Sequence, residues 1–343
     1  MRGNDKNMSE GKAKIAVLAG GISTERQISI QSGQCVAEAL RQGGYDVVTA
    51  DVGPDNLQVL DDESIDVFFV CLHGRFGEDG RLQKILEERG LCYTHSDSAA
   101  STLAMDKLAA KKCFAAAGVS TPAAIALADK VTKEQLQKQV ADSTDNFVVK
   151  PISEGSSIGV RIATGAEEAL REARRCRREF GDCMIEQFVA GREITVGILA
   201  GQALPILEIK PKVGFYDYRA KYLDDNTEYL FDTIDDIKLV ERISRDALKC
   251  FDCLGCRGVA RVDFILGDDD VAYALEVNTV PGMTIHSCVP KAAARIGVSM
   301  AELCDSIVRA AVADYQKRRG AALVEVGADG AKRKEGKIIP QGV

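Results

Sequence analysis

The chain has 343 residues, 46% hydrophobic and 28% charged, a balance typical of a globular protein that buries more than one core. Its 44 Lys and Arg residues against 51 Asp and Glu residues give a formal net charge of −7, which argues against a general nucleic-acid binder. No apolar run reaches the ~18 residues that a membrane span needs, and the polar stretch 1–14 has no secretory pattern, so a cytoplasmic location is expected.

The first unit is expected at residues 13–95, after a disordered leader at residues 1–12. Its hydrophobic pattern predicts strands at 14–19, 46–52 and 67–72 and helices at 28–43 and 80–89. Strands that alternate with helices indicate an α/β unit with a mainly parallel sheet, in which ligands bind at the carboxyl ends of the strands. The segments 20–25 and 73–80 both follow such strand ends, so we expect them to border a site.

The second unit is expected at residues 96–188. Its pattern predicts a helix at 106–117, strands at 146–150, 158–162 and 184–188, and a charged helix before the last strand. The basic run 171–178 is interleaved with Glu residues, which favours a solvated helix face over a nucleic-acid patch. The loop 154–157 (Glu-Gly-Ser-Ser) could turn successive N–H groups towards a phosphate, with Lys150 adding a positive charge; a plain flexible turn is the alternative.

The third unit is expected at residues 189–318, followed by a flexible tail with little structure at 319–343. Its pattern predicts a long hairpin, two helices and a second hairpin, with strands at 193–199 and 203–210 and helices at 236–254 and 290–315. The stretch 214–229 is rich in Tyr, Asp and Lys and lacks periodicity, so we predict that it is a lid or binding loop.

The second hairpin of the third unit has the residue pattern of a candidate metal site. Polar and apolar residues alternate on both sides of an acidic turn, and a turn centred at Asp269-Asp270 aligns two polar pairs, Asp263 with Glu276 and Arg261 with Asn278. The opposite face would then pack Val262, Phe264, Leu275 and Val277. Facing carboxylates repel unless a cation lies between them, and such oxygen ligands suit Mg²⁺. A solvated hairpin face is the alternative.

Eleven cysteines are present, and three of them are spaced C-x-x-C-x-x-C at 250, 253 and 256. This spacing raises the prospect of zinc or an iron–sulfur cluster. However, no convincing fourth ligand lies nearby, and the i, i+3 spacing falls within the helix at 236–254, so buried apolar cysteines are expected. Neither a P-loop nor the glycine fingerprint of a Rossmann oxidoreductase occurs.

Seven motifs stand in one order along the chain: Gly20-Gly-x-Ser-x-Glu25-Arg, His73-Gly-x-x-Gly-Glu-Asp-Gly80, Met105-Asp-Lys107, Lys150-Pro-x-x-Glu-Gly-Ser-Ser-x-Gly159, Phe215-Tyr-Asp-Tyr-x-Ala-Lys-Tyr222, Gly258-x-x-Arg-x-Asp263 and Glu276-x-Asn-Thr-x-Pro-Gly-Met-Thr284. Together they resemble the D-alanine:D-alanine ligases of the ATP-grasp superfamily, over residues 15–312. The resemblance implies three subdomains: an N-terminal parallel α/β unit, and central and C-terminal α+β units that hold ATP between them. The segment 229–234 departs from the family by lacking a proline.

The family makes D-alanyl-D-alanine for peptidoglycan from two D-alanines and ATP, through an acyl phosphate, and the resemblance also implies a homodimer. Two alternatives stay open: a D-alanine:D-lactate ligase, against which Tyr222 argues, and an inactive ATP-binding regulator of the same fold. A regulator should have lost at least one of the residues on which catalysis depends, but all are present: Lys150, Arg261, Asp263, Glu276 and Asn278.

The resemblance implies a role for each matching residue. Asp263, Glu276 and Asn278 would hold two Mg²⁺ ions, with Mn²⁺ as an alternative metal. The ATP-binding residues would be Lys107, Lys150 and Lys221 at the phosphates, Glu193 at the ribose, and Glu186 and Val189 at the adenine. Gln187 stands where family members often have Lys.

The substrate residues also follow from the resemblance. Glu25 would bind the ammonium of the first D-alanine and form a hydrogen-bonded triad with Ser156 and Tyr222, while His73 lies near that substrate. Arg261 and the N–H of Gly282 would stabilise the oxyanion. Ser287 and the backbone at Cys288 would receive the second carboxylate. His286 is expected to have only a positional role, and His95 a structural one.

Overall fold

The computed structural model describes residues 13–128, 131–140, 145–211 and 227–334. The leader at 1–12, residues 214–226 of the predicted lid and the last nine residues lie outside these ranges, so the predictions for them stay untested. Residues 227–229, the predicted end of the lid, lie in a strand instead of a loop.

The first unit contains a parallel sheet of order β2–β1–β3, formed by β1 (Lys14–Gly20), β2 (Asp46–Val52) and β3 (Val67–Val70). Helix α1 (Arg26–Gln42) connects the first two strands, a 3₁₀ turn (Gln58–Asp61) precedes β3, and helix α2 (Arg81–Glu88) follows it. All four residues of β3 are buried, as in a strand covered on both faces. The predicted parallel sheet is confirmed, and the segments 20–25 and 73–80 lie at its carboxyl edge.

The central unit contains a four-stranded antiparallel sheet of order β4–β7–β5–β6. Its strands are β4 (Ala124–Ala126), β5 (Asn146–Pro151), β6 (Arg161–Thr164) and β7 (Cys183–Gln187). Helices α3 (Ser98–Met105) and α4 (Lys107–Ala116) precede the sheet, and α5 (Lys133–Gln139) and α6 (Ala166–Phe180) lie between its strands. Asp97 and Asp106 cap α3 and α4 by accepting N–H hydrogen bonds of 2.9 Å. On α6, exposed Arg175 pairs with Glu179, which fits the predicted solvated face.

The third unit contains an antiparallel sheet of order β11–β10–β8–β12–β13, with β9 paired to β8. The strands are β8 (Gly191–Leu199), β9 (Gln202–Ala203), β10 (Leu207–Pro211), β11 (Thr227–Leu230), β12 (Val259–Gly267) and β13 (Ala272–Asn278). Helices α7 (Ile237–Cys253), α8 (Cys288–Arg295) and α9 (Met300–Lys334) complete the unit. Cys250 and Cys256 are buried in the core between α7 and the sheet, as predicted, whereas Cys253 is only partly buried against that core.

Two predictions about the C-terminal helices are wrong. The single helix expected at 290–315 is two helices, because Gly297 adopts a left-handed φ of 81° that ends α8. Ser299 and Glu302 then form a capping box that starts α9. The helix α9 continues to Lys334, so the expected tail with little structure does not begin at residue 319. The segment 319–334 contains no proline, and its Ala, Lys and Arg residues favour a helix, although Gly320, Gly327 and Gly330 do not.

The first sheet does not bury its apolar side alone. Ile15 and Val17 of β1 lie in one buried cluster with Leu303 and Ile307 of α9, which is the last helix of the chain. Each predicted unit contains one sheet, but the boundaries at residues 95 and 188 stay predictions.

Candidate active site

Over residues 261–263 and 276–278, the hairpin of β12 and β13 has the register that the sequence predicted. Asp263 pairs with Glu276 and Arg261 pairs with Asn278. Asp263 is only 4% exposed, and its carboxylate accepts two hydrogen bonds of 2.8 Å from Arg261 and one of 2.6 Å from the Thr195 hydroxyl. This bidentate contact balances the buried negative charge.

One residue of the hairpin was predicted on the wrong face. The register shifts after Asp263, so that Phe264 pairs with Ala274 and Leu275 is the additional residue of a β-bulge. As a result Leu275 leaves the apolar layer and lines a cleft, while Phe264 and Val277 remain in the core. Strict alternation of the sequence does not reveal such a bulge.

A first cleft opens between the central and third sheets and has about 840 Å³ of free space, including its open mouth. It brings together five of the six predicted ATP-binding residues, Lys107, Lys150, Glu186, Val189 and Glu193. The sixth, Lys221, lies outside the described residues. Apolar side chains complete the walls, among them Val148, Ile158, Ile265 and Leu275. A concave apolar slot with a few charged groups suits a nucleotide base and its phosphates.

Glu186 lies at the inner wall of the first cleft and is 2% exposed. Its Oε1 accepts a hydrogen bond of 2.8 Å from Lys150, and its Oε2 forms an ion pair of 2.6 Å with Lys111. Burial raises the pKa of this carboxyl, but Lys150 and Lys111 outweigh burial and lower the pKa overall. Burial lowers the pKa of Lys111 to about 8, although Glu186 opposes this shift. Lys111 was not predicted from the sequence, where its only signal is its position one turn after Lys107 on α4.

The loop 154–157 lies beside the first cleft, where the phosphates would be expected. Ser156 and Ser157 have positive φ angles of 53° and 58°, the conformation in which backbone N–H groups form an anion-binding concavity. The Lys107 ammonium donates a hydrogen bond to the Glu154 carbonyl. The predicted strand at 158–162 begins only at Arg161, since Gly159 also has a left-handed φ, of 73°.

A second cleft adjoins the first, and the two share Lys107, Glu154 and Glu276 as lining residues. The second cleft also brings together Glu25, Ser156, Arg261 and Asn278, which lie far apart in the sequence. The Ser156 hydroxyl donates a hydrogen bond to Oε1 of Glu25, so two members of the predicted triad are in contact. The third member, Tyr222, lies outside the described residues.

Glu78 is a second residue that the sequence analysis missed. It lines the second cleft, is 8% exposed, and its buried Oε2 has no hydrogen-bond partner among the described residues. Burial, reinforced by the negative charge of Glu25, raises the pKa of Glu78 well above its ordinary value. Its position within the motif 73–80 was the available signal.

His73 supports the second cleft from behind rather than lining it. One ring nitrogen lies 3.0 Å from the Val280 carbonyl oxygen and the other lies 3.3 Å from the Ser32 hydroxyl. Burial lowers the pKa of His73. The neighbouring Gly74 packs so closely on Glu25 that an added Cβ would lie 2.9 Å from its Oε2.

The segment 282–288 contains four predicted residues, Gly282, His286, Ser287 and Cys288. None of them lines either cleft. The Ser287 hydroxyl accepts a hydrogen bond of 3.1 Å from the Thr284 N–H, and a Cβ on Gly282 would lie 2.8 Å from that hydroxyl. Cys288 is buried and His286 is exposed. His95 is buried and stacks edge-on against Phe69, as expected for a structural residue.

The oxygen ligands on the hairpin fit a hard divalent cation. Two carboxylates and one amide, on Asp263, Glu276 and Asn278, lie on adjacent register positions of β12 and β13. Within the described ranges no group of three or more Asp, Glu, His or Cys residues is arranged to hold a metal ion, so Asn278 would have to act as the third protein ligand. The Lys107 ammonium lies 3.1 Å from Oε2 of Glu276 and balances its charge.

No helix in the described part of the chain is long and apolar enough to span a membrane.

Comparison with known proteins tests the predicted family. A family model for the C-terminal part of D-Ala–D-Ala ligases matches residues 113–309. The curated D-alanine–D-alanine ligase of Syntrophotalea carbinolica is 43% identical over 299 residues, which cover 87% of this chain and 96% of the relative. Two solved structures of the Bacillus anthracis D-alanine–D-alanine ligase, the second complexed with ATP, match with TM-scores of 0.78 and 0.77 and identities of 32% and 30%. Each match covers 89% of this chain and 99% of the other.

These similarities agree with the seven motifs and with the arrangement of three sheets around two joined clefts. They confirm the predicted ATP-grasp architecture. The chain belongs to the D-alanine–D-alanine ligase family.

Proposed function

We propose that this protein joins two D-alanines into D-alanyl-D-alanine for peptidoglycan synthesis, with conversion of ATP to ADP and phosphate. The observation that carries the proposal is the junction of the two clefts at Lys107, Glu154 and Glu276. A nucleotide in the first cleft can there present its terminal phosphate to a carboxylate in the second. The carboxylate oxygen attacks the γ-phosphorus and ADP leaves; the amine of the second D-alanine then attacks the acyl carbon, and phosphate leaves.

The nucleotide is assigned to the first cleft. Lys107, Lys150 and Lys221 act as point charges on its phosphates, Glu193 binds the ribose, and Glu186 with the backbone at Val189 binds the adenine. The lining of the cleft by all of these residues except Lys221, and the ATP-bound ligase among the similar structures, support this assignment.

Two Mg²⁺ ions, or Mn²⁺ in their place, are assigned to Asp263, Glu276 and Asn278. When bound, they neutralise charge on the β- and γ-phosphates during transfer. The described residues prepare this site by balancing its charges, since Arg261 holds Asp263 and Lys107 holds Glu276.

The first D-alanine is assigned to the second cleft, with its ammonium on Glu25. Ser156 orients that carboxylate, and Tyr222 completes the triad from the lid. His73 fixes the wall behind Glu25 through its contacts with Ser32 and Val280.

The second D-alanine is assigned to the segment beside the second cleft. Ser287 and the backbone at Cys288 receive its carboxylate, while Arg261 and the N–H of Gly282 stabilise the oxyanion of the tetrahedral intermediate. Arg261 lines the second cleft, which supports its part in this assignment. The homodimer and the cytoplasmic location stay predictions.

The test is an assay of the purified full chain with ATP, Mg²⁺ and D-alanine alone. We expect phosphate release that depends on D-alanine and a product with the mass of D-alanyl-D-alanine. No release would favour an inactive regulator. Equal concentrations of D-alanine and D-lactate should still give mainly the dipeptide at pH 7, because Tyr222 is neutral near that pH and admits an amine. Mainly D-alanyl-D-lactate would favour the other ligase.

A further inference from the structure

Lys111 is a buried lysine for which the proposed mechanism has no role. It is 5% exposed and lies one helical turn after Lys107 on α4. Its ammonium contacts three acceptors: Oε2 of Glu186 at 2.6 Å, the Thr121 hydroxyl at 2.7 Å and the Pro122 carbonyl at 3.0 Å. Thr121 and Pro122 accept hydrogen bonds from this ammonium, whereas its contact with Glu186 is an ion pair without hydrogen-bond geometry.

Through Thr121, the contacts of Lys111 also reach a third element, strand β13. The Thr121 hydroxyl donates a hydrogen bond of 2.7 Å to the Ala274 carbonyl on β13. Lys111 therefore connects α4 with β7 and, through Thr121, with the metal hairpin. These contacts hold its ammonium in one place.

Lys150, the other partner of Glu186, is held differently. It lines the nucleotide cleft, whereas Lys111 does not. A phosphate in the cleft can draw Lys150 away from Glu186, but it cannot reach Lys111. Without Lys111, that movement of Lys150 would leave the Glu186 carboxylate, which is 2% exposed, with no positive partner. A buried, unpaired charge raises the free energy of the protein.

We propose that Lys111 is a positioning residue for nucleotide binding: a fixed counter-ion that keeps the Glu186 carboxylate paired when Lys150 turns to the phosphates. Two lysines thus contact the Glu186 carboxylate because one of them, Lys150, moves to the phosphates when a nucleotide binds. This inference rests on the proposed function of Lys150 as a phosphate ligand.

The test compares adenosine with ADP, because only ADP has phosphates that recruit Lys150. Binding to the full chain is measured by calorimetry with Mg²⁺ for wild type and Lys111→Met. We expect the Kd of ADP to rise about tenfold or more, since the neutral variant leaves Glu186 unpaired when Lys150 moves. The Kd of adenosine should change less than about threefold, because Lys150 then stays on Glu186.

Three further variants make the result decisive. Lys111→Arg keeps the charge and should restore most of the ADP affinity, and Lys112→Met, an exposed neighbour, should bind both ligands as wild type does. Lys111→Gln replaces the Met variant if that protein does not fold. The inference would be overturned if the neutral Lys111 variant lost equal affinity for ADP and adenosine, or lost affinity for neither. Failure of both neutral variants to fold would also overturn it.

Lys150→Met tests the proposed role of Lys150 as a phosphate ligand separately from the inference about Lys111. If Lys150→Met weakens ADP selectively and Lys111→Met does not, only the inference fails. If Lys150→Met leaves ADP binding unchanged, the phosphate role of Lys150 fails as well.

Discussion

The Ser156 hydroxyl donates a hydrogen bond to Oε1 of Glu25, and this contact joins the loop after β5 to the start of α1. Glu25 is buried and belongs to the first unit, whereas Ser156 belongs to the central unit and holds a positive φ of 53°. The proposed ammonium site is therefore assembled from two units. The contact between Ser156 and Glu25 requires the loop 154–157 to lie against the start of α1.

Ser156→Ala should raise the KM for the first D-alanine about tenfold, because a hydrogen bond to a charged group contributes about 1.5–3 kcal/mol. Ser153→Ala, at an exposed position of the same loop, is the matched control and should leave this KM unchanged. Steady-state kinetics over a range of D-alanine concentrations gives both values. Equal KM values for the two variants would contradict the assignment of Glu25 and Ser156.

Glu276→Gln should lower kcat about a hundredfold or more, since it removes a charged metal ligand at the phosphates. The free energy of unfolding without nucleotide should change by less than about 0.5 kcal/mol. The substitution removes a carboxylate facing Asp263, and Lys107 keeps its bond to the Glu154 carbonyl. Turnover is measured as a function of Mg²⁺ concentration, and stability by denaturant titration. A variant with near-normal turnover would show that the hairpin does not hold the metal.

Glu78 should make stability depend on pH. Its pKa is raised in the folded protein by burial and by Glu25, so above the ordinary value of 4.5 the native state retains a proton that the unfolded chain releases. The free energy of unfolding therefore falls as the pH rises through this range. Glu78→Gln lacks this proton, so its Tm relative to wild type should increase as the pH rises above 4.5.

Calorimetry across this pH range measures the effect of Glu78→Gln. Glu241→Gln, at an exposed position of α7, serves as the control and should follow wild type. A difference in Tm between Glu78→Gln and wild type that stays constant with pH would show that Glu78 is ionised in the native state.

Leu275 and Val277 are close in sequence but should respond differently to truncation. Leu275→Ala should raise the KM for ATP severalfold with little loss of stability, because the bulge turns this side chain into the nucleotide cleft. Val277→Ala should cost about 2 kcal/mol of stability and leave the KM for ATP near normal, because Val277 is in the core. Steady-state kinetics gives the KM for ATP of both variants, and denaturant unfolding gives their stability. The reverse pattern would contradict the bulge.

The sequence predicted those features that depend on local pattern. Period-2 alternation was enough to align Asp263 with Glu276, and the motifs contain most of the charged residues that line the two clefts, although Glu78 was not singled out among them. The position of Leu275 was not predictable, because a bulge adds one residue without changing the composition of a strand. The end of α8 was also missed, since Gly297 reveals a helix stop only when weighed with the capping pair Ser299 and Glu302.

The residues missed in the site have a common physical reason. Lys111 and Glu78 owe their importance to burial and to partners that are distant in the chain, Glu186 and Glu25 respectively. A lysine on a helix and a glutamate in a loop are usually solvated, so neither is conspicuous in a sequence.

The shared core of the first sheet and the last helix has a consequence for biosynthesis. Val17 leaves the ribosome long before Ile307, although the two side chains lie in one buried cluster. At about 5–20 residues per second, roughly 15–60 s pass between the synthesis of β1 and that of the last helix, which completes the cluster that β1 and α1 begin. During translation the nascent chain therefore exposes part of this apolar cluster until α9 is synthesised, and we expect a chain truncated before residue 300 to aggregate more readily than the full chain.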